Sequence, residues 1–231
     1  MKSNLGRLAQ GFALVLVAGC SGPDHPTPRT AITRGNAGVV HSLAVSLAPS
    51  APCPSEMVLV EGDYCPEVEQ YCRRFVDKEG PFQFFRCAEY VLPARCLAPR
   101  ERRRFCVDRH EYVRPGDDLP LADQSWTSAA EVCAGRDARL CLESEWQFAC
   151  EGEDMHPYPY GDGFHRDPTA CNIDRRPTGR AVPMNGGVEY ELFDLRAPVT
   201  AYPRCVSPFG VHGMSGNVEE WTTLDRGAAP N

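Results

Sequence analysis

The sequence lacks the patterns that identify several common classes of protein. It contains no apolar run of about twenty residues, the length that a membrane-spanning helix needs. No two of its 12 cysteines stand in the CxxC spacing of a zinc knuckle or a redox motif. Acidic residues outnumber basic residues by 31 to 24, and the resulting formal charge of −7 disfavours a nucleic-acid partner. The six histidines show no spacing that places two on one face, so none is assigned to a metal.

Cysteine is the residue that stands out by its abundance. Twelve thiols in a chain of 231 residues are typical of an oxidising compartment, where they pair as disulfides. They are scattered singly along the chain, which indicates a disulfide framework and not a metal cage. The cysteines stand at positions 20, 53, 65, 72, 87, 96, 106, 133, 141, 150, 171 and 205.

The N-terminus predicts export. A positively charged start is followed by the apolar run 12–18, which has the length of a signal-peptide core. The stretch Val17-Ala18-Gly19-Cys20 resembles a bacterial lipobox, which implies cleavage before Cys20 and lipid on that cysteine, with the membrane as partner. Ser21 at the next position implies sorting to the outer membrane. A plain cleaved signal peptide is the alternative. Lipidation would leave eleven cysteines, so one thiol would stay free or pair outside the chain.

The chain divides into three parts: a signal peptide over 1–19, a tether over 20–55 and a folded domain over 56–231. The tether is rich in Pro, Ser, Ala and Gly, a composition typical of flexible linkers. In the domain, short β-branched or aromatic runs predict strands at Met57–Val60, Phe82–Phe85 and Phe105–Val107. The first of these strands is expected to end at 61–63.

Two helices are predicted in the domain. The first follows Ser125-Trp126; Ser128 and Glu131 have the spacing of a capping box, and Gly135 can end the helix in a left-handed turn. The second runs from about Glu143 to Cys150. Long loops rich in Gly, Pro, Asn and Asp follow residue 151. Short strands, two helices and stapled loops indicate an irregular α+β domain.

Seven segments occur in an order that resembles one known family. They are Met57–Gly62, Phe105–Glu111, Ser125-Trp126, Arg139–Trp146, Tyr158–Asp162, Cys171–Ile173 and Phe209–Thr222. The most specific is the Gly-Asn-Val-x-Glu-Trp-Thr motif at 216–222. Over about residues 57–224 the chain resembles the formylglycine-generating enzymes, or sulfatase-modifying factors, in a cysteine-rich bacterial lipoprotein version. The resemblance implies a loop-rich C-type-lectin-like fold.

The resemblance implies two calcium sites, since calcium prefers hard oxygen ligands. One set is Asn172, Ile173, Glu191 and Phe193, with Asp194 as an alternative to Glu191 or Phe193. The other set is Gly216, Val218 and Glu220. The family has Asn or Asp where this chain has Gly213, so the second set loses one side-chain ligand. The alternative interpretation is that Asn217 and Glu220 only satisfy loop backbone.

Other residues that match the family's pattern are interpreted as structural. Trp126, Trp146 and Trp221 are expected to be core anchors, and the segment 158–162 is expected to be a turn. Connectivity of disulfides cannot be read from a sequence alone. The preferred pair is Cys150 with Cys171, and a second suggested pair is Cys133 with Cys141.

The family's oxidase activity uses a pair of cysteines that binds copper(I), a soft ion suited to thiolates. No cysteine of this chain matches the position of that pair, which lies beyond the Gly-Asn-Val motif. We therefore expect an exported, calcium-stabilised binding or structural module, with a protein or peptide as possible ligand and no catalytic residue assigned. The alternative is a truncated copper-dependent oxidase that acts on a sulfatase-type cysteine or another thiol, with copper bound only if a C-terminal tail supplies the cysteines. A third possibility is a domain that cannot fold.

Overall fold

A computed structural model describes residues 15–17, 19–21, 52–175, 179–184 and 187–225 of the chain. Small sheets dominate, with two short helices and five disulfides, which agrees with a disulfide-rich α+β domain. The strands are β1 (Val15–Val17), β2 (Gly19–Ser21), β3 (Met57–Tyr64), β4 (Val68–Glu69), β5 (Cys72–Phe75), β6 (Cys87–Tyr90), β7 (Arg95–Cys96), β8 (Glu101–Asp108), β9 (Arg139–Leu140), β10 (Gly179–Met184), β11 (Gly187–Leu192) and β12 (Glu219–Trp221). The helices are α1 (Trp126–Ala134) and α2 (Glu143–Glu151).

The central sheet has four strands in the order β3-β8-β2-β9. β3 and β8 pair antiparallel along their whole length, from Met57 opposite Asp108 to Tyr64 opposite Glu101. Their alternation buries Val60 and Phe105 against α2, where Phe148 is 1% exposed. Neither helix of the described part is long and apolar enough to cross a lipid bilayer.

Two of the three predicted strands are confirmed, and one is wrong. β3 and β8 contain the predicted runs, although β3 continues through 61–63 because its partner strand extends equally far. Phe82–Phe85 is a turn and not a strand. Its aromatic composition suggested β structure, but Phe84 has a φ of 69°, a left-handed conformation that strands do not use.

Both predicted helices are present, with a different capping arrangement for the first. α1 begins after Ser125, whose side chain accepts a hydrogen bond from the Ser128 amide, so Ser125 is the N-cap and Ser128 lies inside the helix. Gly135 does follow the helix, but its φ of −65° is right-handed and not left-handed. α2 covers the predicted span and extends one residue beyond it.

The five disulfides overturn both suggested pairings. Cys171 bonds to Cys205 instead of Cys150, and Cys141 bonds to Cys20 instead of Cys133. The reason is that Cys150 is packed in the core with Phe148, whereas Cys171 belongs to a separate cluster around Tyr160. The other bonds join Cys53 to Cys106, Cys65 to Cys96, and Cys72 to Cys87.

Cys20 has a structural role that differs from its predicted role. It lies in β2 between β8 and β9, is fully buried, and bonds to Cys141. A sulfur atom in a disulfide cannot also carry a lipid thioether, so the Cys20–Cys141 bond and lipidation of Cys20 are alternative states, and the lipidation stays a prediction. The predicted boundaries at 19 and 20 fall inside the strand β2, and the predicted tether lies mostly outside the described residues.

Candidate functional site

An open cleft of about 690 Å³ lies where α2, the loop after Cys171 and the motif 216–222 meet. Trp146 and Met214 contribute apolar surface, and most of the predicted ligand residues lie along it. The charged groups that line the cleft are mainly acidic, since Glu143, Glu219 and Glu220 outnumber the one basic side chain, Arg175. A fourth acidic residue, Asp174, is paired with Arg86 and Arg166. The cleft therefore favours a cationic ligand.

Asn217 organises the loops beside this cleft. Its side-chain oxygen accepts hydrogen bonds from Asn172 Nδ2 and the Ala197 amide, both at 2.8 Å. Its side-chain nitrogen donates to Glu111 Oε2 at 2.7 Å and to the Ala197 carbonyl at 3.1 Å. Its φ of 61° is a left-handed conformation that Asn tolerates better than most residues. Asn217 thus ties three loop segments together, through the backbone of Ala197 and through the side chains of Asn172 and Glu111.

Glu111 is a functional candidate that the sequence reasoning did not select, although it ends the segment Phe105–Glu111. It is 5% exposed, and its Oε1 atom has no hydrogen-bond partner among the described residues. Burial raises the pKa of Glu111 to about 8, and the charge of Glu220 acts in the same direction. Its carboxylate fills the space beside Gly213, where an added Cβ would come within 3.0 Å of Glu111 Cγ. The missing side chain at 213 is therefore what admits Glu111.

Glu220 lies on β12 next to the indole of Trp146, whose Nε1 donates to Glu220 Oε2. Burial raises the pKa of Glu220 to about 7, and the indole hydrogen bond opposes that shift. Within the described part of the chain, neither Glu220 nor Glu111 forms an ion pair. Two carboxylates with raised pKa and no cation beside them form an environment that a bound cation would stabilise.

The two predicted calcium sets differ in how well the structure suits them. Gly216, Val218 and Glu220 lie together along the cleft. In the other set, the Asn172 side chain is already committed, because its Oδ1 accepts from Arg175 Nε at 2.9 Å and its Nδ2 donates to Leu195 and Asn217. Ile173 also lines the cleft, Phe193 is exposed, and the side chains of Glu191 and its β11 neighbours lie outside the described part.

In the described ranges, no three acidic, histidine or cysteine side chains come together as a metal cluster. A calcium ion would therefore depend largely on carbonyl oxygens, which this chain can provide at 216 and 218.

All 12 cysteines fall within the described residues, and two of them lie outside the disulfides. Cys133 lies on α1 and is buried in a cluster with Leu140 of β9, and Cys150 lies on α2 and is buried in the core with Phe148. Burial raises the pKa of Cys133 to about 11 and raises the pKa of Cys150 further. Both sulfurs are therefore protonated at neutral pH, in separate clusters of the core.

Two histidines that the sequence did not associate are stacked. The rings of His110 and His212 lie 4.6 Å apart, because the His212 amide donates to the Arg109 carbonyl and brings the two loops together. Burial lowers the pKa of both rings, with the Arg109 charge contributing. No sequence spacing could have indicated this pair, since 102 positions separate its members.

A scan against protein families matches residues 68–226 to the domain described as Sulfatase-modifying factor enzyme 1-like. The chain belongs to the sulfatase-modifying factor family. Curated proteins similar to it include the mouse (Mus musculus) Inactive C-alpha-formylglycine-generating enzyme 2, which is 27% identical over 93% of this chain. The mouse Formylglycine-generating enzyme is 30% identical over 45% of the chain, and the Hercynine oxygenase of Mycobacterium tuberculosis is 34% identical over 54% of it.

These alignments cover very different shares of the sulfatase-modifying factor relatives. They span 69% of the inactive mouse protein, 27% of the mouse Formylglycine-generating enzyme and 25% of the Hercynine oxygenase. No solved structure matches the chain significantly. The family assignment therefore rests on the domain match and on the ordered motifs.

Proposed function

We propose that this chain is an exported binding module of the sulfatase-modifying factor family, with a C-type-lectin-like fold and no copper-thiolate oxidation of its own. The observation that carries the proposal is the state of the cysteines. Ten are held in disulfides, and the remaining two are buried in different clusters of the core.

Copper(I) chemistry needs soft thiolate ligands that can reach the same ion. Cys133 belongs to the cluster that contains Leu140, whereas Cys150 belongs to a different cluster, which contains Phe148. The raised pKa of each thiol also opposes the deprotonation that metal binding requires. An oxidase function would need a rearrangement of these cysteines or a thiol pair supplied by another segment.

Some of the similar proteins favour a binding module, and others favour an oxidase. A protein named as an inactive formylglycine-generating enzyme aligns with 93% of the chain, which favours a module that retains the fold without the chemistry. Relatives named as Formylglycine-generating enzyme and Hercynine oxygenase align with about half of the chain, so an oxidase is the competing function. Fold alone does not decide between them, because activity depends on the residues present.

The cleft beside Trp146 is the proposed binding surface, and its ligand is a basic segment of a protein or peptide. Glu143 and Glu219 are exposed at its rim and outnumber Arg175, so lysine or arginine side chains would be attracted. A Lys-containing peptide should bind more tightly than its norleucine analogue in a fluorescence-anisotropy titration. Glu143→Gln with Glu219→Gln should weaken that binding, whereas Glu79→Gln, an exposed control, should leave it unchanged.

Calcium is part of the proposal at the second predicted set only. The Gly216 and Val218 carbonyl oxygens and the Glu220 carboxylate would hold the ion, which would supply positive charge beside a carboxylate that otherwise lacks a cation. Calcium would thus be a structural ion that holds the motif 216–222 against α2.

Export is the remaining part of the proposal. Five disulfides support an oxidising compartment such as the cell envelope. Attachment to the outer membrane through lipid on Cys20 would require that Cys20 and Cys141 stay unbonded. We therefore propose the envelope as the location, with the Cys20–Cys141 disulfide as the state of that cysteine.

The deciding experiment is an oxidation assay on the purified, disulfide-bonded chain. The protein is incubated with copper(I), oxygen and a sulfatase-type cysteine peptide, and the peptide is followed by mass spectrometry. We expect no formylglycine above a copper-only control. Turnover that depends on the protein and on oxygen would contradict the proposed function and support the oxidase.

A further inference from the structure

Three phenylalanines are displayed to solvent on one turn. The turn, residues 77–86, connects β5 to β6 and is called here the Phe loop. Phe82 is 65% exposed, Phe84 68% and Phe85 80%. Single exposed apolar residues are common on proteins, but three aromatic rings within four positions form a patch that normally has a partner.

The Phe loop is held in place from its base. The Cys72–Cys87 disulfide closes it, and Arg86 donates two hydrogen bonds to Asp77, at 2.8 and 2.9 Å. Arg86 also reaches Asp174 at 3.0 Å, which joins the loop to the body of the domain. The exposure of the rings is therefore a property of a braced turn, since its ends cannot move apart.

The three phenylalanine rings of the Phe loop do not pack against the core of the domain. Phe82 and Phe85 contact each other edge to face with centroids 6.4 Å apart, and Phe84 contacts Phe75 at 5.2 Å. Gly80 sits at the tip with a φ of 91° and no atom within 4 Å of an added Cβ, so the tip projects into solvent.

The disulfide-closed hairpin that carries the Phe loop has a charge opposite in sign to that of the whole chain, because it includes Arg73 and Arg74 of β5. Four basic residues and two acidic residues lie between Cys72 and Cys87, so this stretch carries a formal charge of +2 while the chain carries −7. Arg73 and Arg74 share a single carboxylate, that of Glu89. Lys78 is exposed near the tip, and no described residue forms an ion pair with it. The exposed phenylalanines thus lie on a hairpin of net positive charge in a chain that is acidic as a whole.

We propose that the Phe loop inserts its phenylalanines into the interface of an anionic phospholipid bilayer. Phenylalanine rings bury their apolar surface at the boundary of headgroups and acyl chains, and neighbouring Lys and Arg side chains are attracted by anionic lipid. A neutral or basic surface would not complement the charge of the hairpin between Cys72 and Cys87. The insertion is independent of lipid attachment at Cys20 and of the cleft beside Trp146.

The test is vesicle co-sedimentation of the full chain. The protein is produced in an oxidising cytoplasm, where no lipid is added, and its intact mass is checked. Binding is compared for vesicles of phosphatidylglycerol with phosphatidylcholine and vesicles of phosphatidylcholine alone. We expect Phe82→Ser with Phe84→Ser and Phe85→Ser to lower the partition coefficient on anionic vesicles by about a hundredfold. Lys78→Glu should lower it about fivefold or more.

A matched control is available outside the loop. Leu97→Ser with Phe193→Ser removes two exposed apolar side chains, 48% and 52% exposed, and should leave binding unchanged. Thermal melting of each variant checks that the disulfide-bonded fold is intact. Wild-type protein that fails to sediment with anionic vesicles would overturn the proposal. So would a triple variant that binds like the wild type, and in either case a protein partner becomes the occupant of the Phe loop.

Discussion

Replacement of Glu111 by Gln tests how the buried carboxylate beside the cleft is held. Glu111 is 5% exposed, its Oε2 accepts from Asn217 at 2.7 Å, and Oε1 has no partner among the described residues. Its pKa of about 8 in the folded state exceeds the value of about 4.5 in the unfolded chain. The folded state therefore binds more protons between these two values, so its stability must fall as pH rises across that window.

The size of the effect follows from the same shift. One proton per molecule changes the free energy of unfolding by about 1.4 kcal/mol per pH unit, so Glu111 alone should lower stability by about 3 kcal/mol between pH 4.5 and 7. Glu220, whose pKa is raised to about 7, contributes with the same sign. Gln at 111 carries no charge at any pH and retains an oxygen that can accept from Asn217.

Urea denaturation from pH 5 to 8, with chelator present, measures this dependence. We expect Glu111→Gln to be more stable than wild type at pH 8 and to lose less stability between pH 5 and 8. The pH dependence that remains comes from Glu220, with the same sign, and from His110 and His212, whose lowered pKa values act with the opposite sign. Glu79→Gln, at an exposed position, should follow the wild-type curve. An unchanged slope in Glu111→Gln would show that Glu111 does not titrate with a raised pKa in the folded protein.

Three further results are expected. Arg136→Met should lower the free energy of unfolding by about 3–5 kcal/mol in urea denaturation, because it leaves the buried Asp108 carboxylate without its bidentate partner. Arg102→Met, which removes an exposed ion pair with Glu61, should lower the free energy of unfolding by less than about 1 kcal/mol. Non-reducing peptide mapping of the exported protein should yield a Cys20–Cys141 cross-link, whereas a lipid-modified Cys20 would contradict the structure. Calcium at a concentration about 100 times its dissociation constant at pH 8 should stabilise the protein by about 2.7 kcal/mol at that pH. The same concentration should stabilise it less at pH 5, where Glu220 is protonated, and identical melts with and without chelator would show that no calcium is bound.

The elements that the sequence predicts well are those with a local physical cause. The strand at Met57–Val60 and the helix from Glu143 follow from β-branched runs and helical periodicity, which the tertiary structure does not override. Phe82–Phe85 has an equally strong local pattern, but the strand predicted there was wrong. The disulfide at the base of the segment and the left-handed conformation of Phe84 make it a turn. Local pattern cannot show whether aromatic residues face a core or solvent.

The candidate site was predictable in part. The motif 216–222 indicated the cleft, since Gly216, Val218 and Glu220 are close in sequence. Glu111 joins them from 106 positions before Asn217, a separation at which no local spacing rule operates. Its one sequence signal is the absence of a side chain at Gly213, which leaves room that another residue fills. Disulfide pairing failed for the same reason, because Cys20 and Cys141 are 121 positions apart.

A chain without a copper-thiolate site of its own should have every cysteine bonded or buried, and thiol counting measures this. The purified 231-residue chain is treated with a chromogenic disulfide reagent, first in native buffer and then in guanidinium chloride. We expect no rapidly reacting thiol in the native protein and two per molecule after denaturation, from Cys133 and Cys150. Two thiols that react rapidly in the native protein would contradict it, because an accessible pair could bind copper(I).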